Sequence, residues 1–286
     1  MSLRIMTHNV WNNLDNTPEW EKIGEDCSTE ARAPGIARVY KENLPDVIGW
    51  QESRDRMIDA VLDSCKESGI EYTTIWGRFT PILYRADKLE LLESKFITYP
   101  DEIEGFDGIF NDMRSKSANI AVFRVKESGK IFVFTTTHLW WKRNDERTRI
   151  NDPRSYQQGS DKAREIQVKI IVDAVKPYRE KYGCPSIILG DFNTQYDSLA
   201  VKYALEHGYR HAHDIATEFS DDEMGYHMCF PWGYEKKYLT GGFKNALDHI
   251  MISGEDDGAV KRFERFSPEW YFPISDHSAA FIDVEF

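Results

Sequence analysis

The sequence has no run of apolar residues close to the ~20 that a membrane-spanning helix needs, and no basic stretch followed by an apolar leader at its N-terminus. We therefore expect a protein without a membrane span, cytoplasmic as the sequence stands, and secreted or periplasmic if a leader precedes Met1. A Pro/Ser-rich linker, an internal repeat and a low-complexity tract are also missing. The 286 residues are enough to bury one large core, so we expect a single domain over residues 1–286, and a monomer.

Cysteine and positive charge are both scarce. Four cysteines, Cys27, Cys65, Cys184 and Cys229, have neither metal-finger spacing nor the density of a disulfide framework, which predicts free thiols in a reducing compartment. The net charge of −12 argues against a surface that grips long duplex nucleic acid, although a local basic patch is compatible with it. Because a G-x-S-x-G motif is absent too, nothing indicates a covalent serine nucleophile.

Short apolar segments and amphipathic segments alternate along the whole chain. The apolar segments predict strands at residues 3–6, 47–50, 80–84, 120–125, 131–137, 186–189, 246–252 and 279–286. Helical spacing of apolar residues predicts helices at 30–43, 53–68, 162–182 and 198–207. Residues 126–130 indicate an antiparallel hairpin, which disfavours an all-parallel sheet. We expect two mixed sheets covered by helices, with functional loops at 140–159 and 217–242.

Polar side chains follow the predicted strands where each strand ends, or lie beside them. They are Thr7-His8-Asn9, Gln51-Glu52, His138, Asp191-Phe192-Asn193, Asp248-His249 and Asp276-His277. Each alone is typical of a capping or turn residue, but strand ends that share one edge bring such residues together. Carboxylates without matching cysteines favour a hard cation such as Mg2+ over zinc. The pattern therefore indicates metal-assisted phosphoryl chemistry.

The order and spacing of these motifs resemble the endonuclease/exonuclease/phosphatase superfamily, the group with the deoxyribonuclease-I-like fold. The match covers nearly the whole chain, and GDFN followed by a C-terminal SDH is its most specific pair. Its motifs are RIMTHNVW at residues 4–11, PDVIGWQE at 45–52, PILYR at 81–85, TTHL at 136–139, IILGDFNT at 187–194, LDHI at 247–250 and SDHS at 275–278. The resemblance implies a metal-dependent phosphoester hydrolase with an α/β (α+β) fold: a four-layer sandwich of two mixed, mainly antiparallel β-sheets flanked by helices.

The resemblance also implies which residues hold the metal. Glu52 would be the principal ligand, and Asn9 would support the metal or the phosphate. Asp276 would help to bind a metal. The expected ion is Mg2+, with Mn2+ as an alternative.

Five further residues take catalytic roles by the same resemblance. Asp191 would orient or deprotonate the attacking water, and Asn193 would donate a hydrogen bond to a phosphoryl oxygen. His277, held by Asp248, would stabilise the transition state or transfer a proton. His138 would be a second phosphate contact. These are the parts that phosphoryl transfer by direct water attack requires.

Two positions depart from the pattern of the relatives. Relatives often carry a Glu that pairs with the phosphate-contacting histidine, whereas this chain has Arg78 in that place. This leaves His138 less firmly held, or lets Arg78 itself bind phosphate. Relatives also often have an aromatic residue after the Asp of the LDHI motif, where this chain has His249. A structural role is the favoured interpretation of His249, and a catalytic role is the alternative.

Tryptophans and basic residues follow the TTHL motif directly: Trp140, Trp141, Lys142 and Arg143 come first, and three more arginines follow by residue 154. They would stack a base or sugar and pair with further phosphates, unless the segment is a solvated loop with its tryptophans on the core. The acidic net charge favours a small phosphorylated compound as substrate. A nuclease for single-stranded nucleic acid or its ends is the alternative, and a non-catalytic interaction module is disfavoured.

Overall fold

A computed structural model of the chain describes residues 2–219, 246–266, 268–271 and 273–286. The strands in these residues are β1 (Ser2–Asn9), β2 (Val47–Gln51), β3 (Thr73–Ile75), β4 (Ile82–Tyr84), β5 (Leu89–Thr98), β6 (Ser117–Val125), β7 (Ile131–His138), β8 (Ser186–Asp191), β9 (Arg210–His211), β10 (Glu218–Phe219), β11 (Asp248–Ser253), β12 (Val260–Phe266) and β13 (Ala279–Glu285). The helices are α1 (Pro18–Glu21), α2 (Thr29–Asn43), α3 (Asp55–Glu67), α4 (Glu146–Asn151), α5 (Ser160–Tyr182), α6 (Leu199–Glu206) and α7 (Ala212–Ile215). Short 3-10 helices lie at Asp112–Arg114, Pro153–Ser155 and Glu269–Tyr271.

The described strands form two mixed sheets. One has seven strands in the order β10-β12-β13-β1-β2-β4-β3, and the other has six in the order β5-β6-β7-β8-β11-β9. The pairs β1–β2, β7–β8 and β10–β12 are parallel. All other pairs are antiparallel, including the hairpin β6–β7. The predicted mixture of mainly antiparallel sheets is confirmed.

Successive side chains of a strand point to opposite faces of its sheet and so pack into different hydrophobic clusters. In β1, Leu3 and Ile5 join a cluster between the two sheets, whereas Met6 joins an outer cluster with α2 and α3. In β8, Ile188 packs instead with residues of α5 and α6 outside the six-stranded sheet. The order helix, sheet, sheet, helix is the predicted four-layer sandwich.

The two sheets approach each other most tightly at Gly49 in β2. A Cβ atom added there would lie 2.5 Å from Cβ of Thr136 in β7 and 2.6 Å from Cδ1 of Leu189 in β8. Two residues further along β2, Gln51 Nε2 donates to Thr136 Oγ1 at 2.9 Å across the same gap. The missing side chain thus lets the parallel pairs β1–β2 and β7–β8 meet at their C-terminal ends.

Two longer strands were not predicted. β5 is an edge strand whose register with β6 shifts between Leu91 and Glu93, so its side chains do not alternate cleanly. β12 has the sequence VKRFERF, in which Val260, Phe263 and Arg265 are buried. Four of its seven residues are charged, so the sequence shows no alternation of apolar residues. Periodicity of apolar residues is weak in both segments.

The segment 140–159 was predicted to be a loop, but it contains a short helix and a 3-10 turn. Asp145 accepts a hydrogen bond from the Thr148 amide at 2.9 Å and so caps α4, and a 3-10 turn follows. Of the predicted loop 217–242, residues 220–242 lie outside the described residues. Cys27, Cys65 and Cys184 are buried free thiols as expected, and Cys229 lies outside as well. No helix in the described ranges has the length and apolar character needed to cross a membrane.

Candidate active site

Acidic and histidine side chains from both sheets meet at the edge where the paired strand ends converge. We call Glu52, His138, Asp191, Asp248 and His277 the floor cluster. His138 ends β7 and lies opposite Asp191 at the end of β8, and Asp248 begins β11 opposite Asp191 on its other side. All of them except Asp248 line one cavity of about 720 Å3. The sequence positions are therefore far apart, and the topology brings them together.

Glu52 is held by two hydrogen bonds in an unusual backbone conformation. Its φ is +61°, in the left-handed region that non-glycine residues rarely adopt. The Asn12 amide donates to Glu52 Oε2 at 2.9 Å, and Asn9 Nδ2 donates to Oε1 at 3.3 Å. Backbone strain at a cavity is consistent with a position selected for function.

Asn9 links two carboxylates. Its Oδ1 accepts a hydrogen bond from the Trp11 amide at 3.0 Å, which fixes the orientation of the side-chain amide. Its Nδ2 donates to Glu52 and, at 3.1 Å, to Asp191 Oδ2. In this geometry Asn9 turns its NH2 group towards the carboxylates, so it would support the metal by positioning two carboxylates.

Asp191 is buried and close to the cationic groups of the cluster. Its Oδ1 accepts from the Asn193 amide at 2.7 Å. Burial raises the pKa of Asp191 to about 7, since desolvation outweighs the opposing effect of His277. Asn193 has φ +51°, and its Nδ2 donates to Leu139 O at 3.1 Å, which leaves one amide hydrogen for a ligand.

His277 is oriented by Asp248. Its Nδ1 lies 2.7 Å from Asp248 Oδ2, and its Nε2 lies 3.8 Å from Asp191 Oδ2. Burial by itself lowers the pKa of His277, but Asp248 and Asp191 outweigh it and raise the pKa well above the ordinary value. A cationic His277 would carry a proton on Nε2, facing the cavity.

Lys116 belongs to the site and was missed in the sequence. It is buried, and its Nζ lies 2.8 Å from His138 Nε2. Burial lowers the pKa of Lys116, while Glu52 and Asp191 oppose that shift; the pKa of His138 is lowered well below its ordinary value by burial and by Lys116. The sequence contained a signal for this position. Extending the register of the predicted hairpin pairs Ser117 with His138, which places Lys116 beside His138.

Arg32 is a second residue near the site that was not predicted. It is fully buried and donates to Val10 O at 2.7 Å and to Ile274 O at 2.9 Å. These carbonyls belong to the loops that carry Asn12 and Asp276. Arg32 therefore ties together two loops that border the cavity.

The donor set fits a hard divalent cation. Ligand atoms of Glu52, His138 and Asp191 lie within 4.8 Å of one another. Asp276 also lines the cavity, and its buried Oδ1 has no hydrogen-bond partner among the described residues. An orphaned carboxylate oxygen beside two further carboxylates favours an oxygen-binding ion.

The predicted substrate residues divide into three groups. Trp140 is 1% exposed and packs on Phe110, so the expectation that it stacks on a substrate is wrong. Trp141 and Arg143 line the cavity with the floor cluster, whereas Lys142 lines a neighbouring cavity on the other side of Trp141. Arg78 is outside the lining and donates to Met113 O at 2.9 Å, so a phosphate contact by Arg78 is not supported.

His249 has structural surroundings. It is buried, its Nε2 lies 2.8 Å from Thr194 O, and its ring packs on Phe192 and His211. Burial lowers the pKa of His249 to about 3, so the ring is neutral at pH 7. The favoured structural interpretation agrees with this environment.

A family model described as the endonuclease/exonuclease/phosphatase family matches residues 6–277 of the chain. Members of this family are phosphoester hydrolases and generally depend on a divalent metal. No curated protein matches the chain.

Several solved structures share the fold over the full length. An endonuclease/exonuclease/phosphatase family protein from Bacteroides thetaiotaomicron is 18% identical, with a TM-score of 0.73 and coverage of 99% of this chain and 97% of the other. A mannosyl-6-phosphatase from the same organism is 18% identical, with a TM-score of 0.71 and complete coverage, 100%, of both chains. D. rerio TDP2, complexed with a single-strand DNA product, is 17% identical, with a TM-score of 0.67 and coverage of 100% and 99%.

Proposed function

We propose a Mg2+-dependent reaction on a small phosphorylated compound for this chain, which belongs to the endonuclease/exonuclease/phosphatase family and is a phosphoester hydrolase. The observation that carries the proposal is the floor cluster: Glu52, Asp191 and His277 line one cavity, with Asp248 behind the histidine. Carboxylates, an oriented histidine and a buried lysine are the groups that stabilise a transferring phosphoryl group.

Glu52 and Asp276 would hold the ion, with Asp191 beside them and Asn9 fixing the geometry of two of these carboxylates. When bound, Mg2+ would neutralise charge on the phosphoryl oxygens during displacement. Mn2+ offers the same coordination chemistry and is a second candidate ion.

Asp191 would act on the attacking water. In the proposed step the water oxygen bonds to phosphorus, the bond from phosphorus to the leaving oxygen breaks, and a water proton passes to Asp191. A pKa near neutrality suits a carboxylate for accepting and releasing this proton. His277 would donate from Nε2 to a phosphoryl oxygen or to the leaving oxygen, with Asp248 fixing its ring.

Lys116, His138 and Asn193 would complete the phosphate contacts. Lys116 Nζ lies 2.8 Å from His138 Nε2 and would contact the same phosphate. Because a buried cation attracts an anionic group strongly in a partly desolvated cavity, Lys116 would bind the phosphate more tightly than an exposed lysine. Asn193 would donate to the phosphate the Nδ2 hydrogen that is not bonded to Leu139 O.

A small substrate is favoured over a nucleic acid by the surroundings of the site. The cavity is bordered by Asp112 and Asp152 in addition to the floor cluster, and these carboxylates would repel an extended phosphate backbone. The similar structures include both a sugar phosphatase and a protein complexed with single-strand DNA. We also propose that residues 1–286 work as one domain in a monomer, since one chain supplies every residue of the floor cluster.

Phosphate release from a panel of phosphorylated sugars, alcohols and nucleotides, with Mg2+ or with EDTA, tests this function. We expect release with Mg2+ only, and a loss of at least about 100-fold in Asp191→Asn and in His277→Gln, because each variant removes a group that acts on the reacting atoms. Labelled single-stranded and duplex oligonucleotides in parallel reactions test the nuclease alternative.

Exposed Glu90→Gln is a matched control, since Glu90 pairs with Arg124 far from the cavity. Circular dichroism and thermal melting show whether each variant is folded. Undiminished activity in folded Asp191→Asn and His277→Gln would overturn the mechanism, and cleavage of oligonucleotides with no activity on small compounds would overturn the substrate class.

A further inference from the structure

A second cavity of about 530 Å3 adjoins the one that contains the floor cluster. Both cavities are lined by Arg143, Asp145 and Arg147, and also by Asn193 and Leu247. The shared lining makes the second cavity an extension of the site beyond Asn193. A substrate whose phosphate contacts the floor cluster can therefore extend towards the two arginines.

The two shared arginines lack an ion-paired partner among the described residues. Within the described part of the chain, neither guanidinium makes a side-chain hydrogen bond or an ion pair. Arg149, two residues along α4 from Arg147, differs in this respect because its Nε and Nη2 both donate to Glu146. Arg143 and Arg147 are thus two cations with their donors available.

The neighbouring carboxylates are already used by local hydrogen bonds. Asp145 caps α4 by accepting from the amide and, at 2.8 Å, from the hydroxyl of Thr148. Asp161 is paired with Arg164, and Arg164 also donates to Trp140 O at 3.0 Å. These acids do not compete for the two arginines as strongly as free carboxylates would.

Further cationic groups line the second cavity. Arg164 is 3% exposed, and its Nε has no hydrogen-bond partner among the described residues. Lys202 is on the same lining, where Asp197, like Asp145 and Asp161, opposes these charges. The buried, incompletely satisfied guanidinium is the kind of group that an anion or its hydration shell would complete.

We infer that Arg143 and Arg147 bind a second phosphoryl group of the substrate, so that this site prefers a small compound with two phosphoryl groups to one with a single group. The inference rests on the proposed function and names the substrate class of the same site. Two guanidiniums match a phosphoryl group because each presents parallel N–H donors to its oxygens.

Binding in an inactive background tests the inference without turnover. Glucose 6-phosphate and glucose 1,6-bisphosphate would be titrated calorimetrically into Asp191→Asn, and then into Asp191→Asn carrying Arg143→Gln, Arg147→Gln or both. We expect the bisphosphate to bind about 100-fold more tightly than the monophosphate, and each arginine substitution to remove about tenfold of this preference, as expected for a charge-assisted hydrogen bond at an exposed position.

Three arms make the assignment specific. Arg149→Gln is the matched control, because Arg149 lies on the same helix, is paired with Glu146 and lines neither cavity. 6-Phosphogluconate carries a carboxylate in place of the second phosphoryl group, and equal binding of this compound and the bisphosphate would overturn the phosphoryl assignment. Equal affinities for glucose 6-phosphate and glucose 1,6-bisphosphate, or an equal loss in Arg149→Gln, would overturn the subsite.

Turnover by the chain without the Asp191 substitution separates the two proposals. If it releases phosphate but shows the same kcat/KM for both sugars, the subsite is wrong and the proposed function stands. If it releases no phosphate from any compound, the proposed function is wrong, and the calorimetric preference still decides the subsite.

Discussion

The floor cluster and the segment 140–159 border the same cavity but are built in opposite ways. The floor cluster is at strand ends, is mostly buried, and is held by hydrogen bonds between residues far apart in the chain, such as Asn9 and Asp191. The segment 140–159 is largely exposed, and contacts such as the Asp145 cap join residues a few positions apart. We therefore expect the chemistry, which needs fixed geometry, to use the first region and substrate selection to use the second.

We expect Glu52→Gln to reduce activity more than any substitution in the segment 140–159. A small reduction would contradict the division of roles between the floor cluster and this segment. The amide keeps the size of the side chain but removes the charge that holds a divalent ion, so we expect kcat/KM to fall at least about 100-fold and the Mg2+ concentration for half-maximal activity to rise. Steady-state rates over a Mg2+ series measure both. A normal Mg2+ dependence in a folded variant would show that Glu52 does not hold the ion.

We expect the buried His249, which follows Asp248 of the floor cluster, to make the stability of the protein sensitive to acid. His249 is neutral in the folded chain, with its pKa lowered from 6.5 to about 3, whereas an unfolded histidine takes up a proton below about pH 6.5. The unfolded state then binds more protons, so stability is present above pH 6.5 and is lost as the pH falls towards 3. We expect this one histidine to account for up to about 2 kcal/mol of lost unfolding free energy at pH 5.

His249→Gln keeps a donor for Thr194 O but does not titrate. Urea unfolding at pH 7 and pH 5 should show a smaller loss in this variant than in the parent chain, with His211, whose pKa is lowered to about 4, still contributing in both. An identical loss in the two proteins would mean that His249 is not buried as a neutral ring.

The smallest effect is expected from the segment 140–159. Asp145→Ala removes the cap of α4 and should cost about 1 kcal/mol locally, while Asp145→Asn keeps a capping oxygen and is the control. Because α4 carries Arg147, we expect KM to rise about threefold in Asp145→Ala with little change in kcat. Hydrogen exchange of residues 146–151 together with steady-state kinetics measures this, and a large fall in kcat would contradict the division between the two regions.

Sequence patterns predicted the strands that carry the floor cluster because each is a short apolar segment that ends in a polar residue. The pairing of those ends followed from the resemblance and from the topology that it implies. Lys116 was missed because it precedes its strand, in a segment where Met113 and Arg114 adopt positive φ, although extending the register of the predicted hairpin would have placed it beside His138. The burial of Trp140 beside the half-exposed Trp141 also depends on tertiary packing that no local pattern encodes.

β13 pairs with β1 over Thr7↔Ala280 and neighbouring residues, and β1 lies in the interior of the seven-stranded sheet. During synthesis on a ribosome, β1 emerges before β13 and must remain without this partner until β13 has been made. His277, directly before β13, reaches Asp248 only at that stage. Enzymatic turnover would therefore begin only after β13 has been made and has paired with β1, and nascent chains that end before β13 would expose an unpaired strand edge to chaperones.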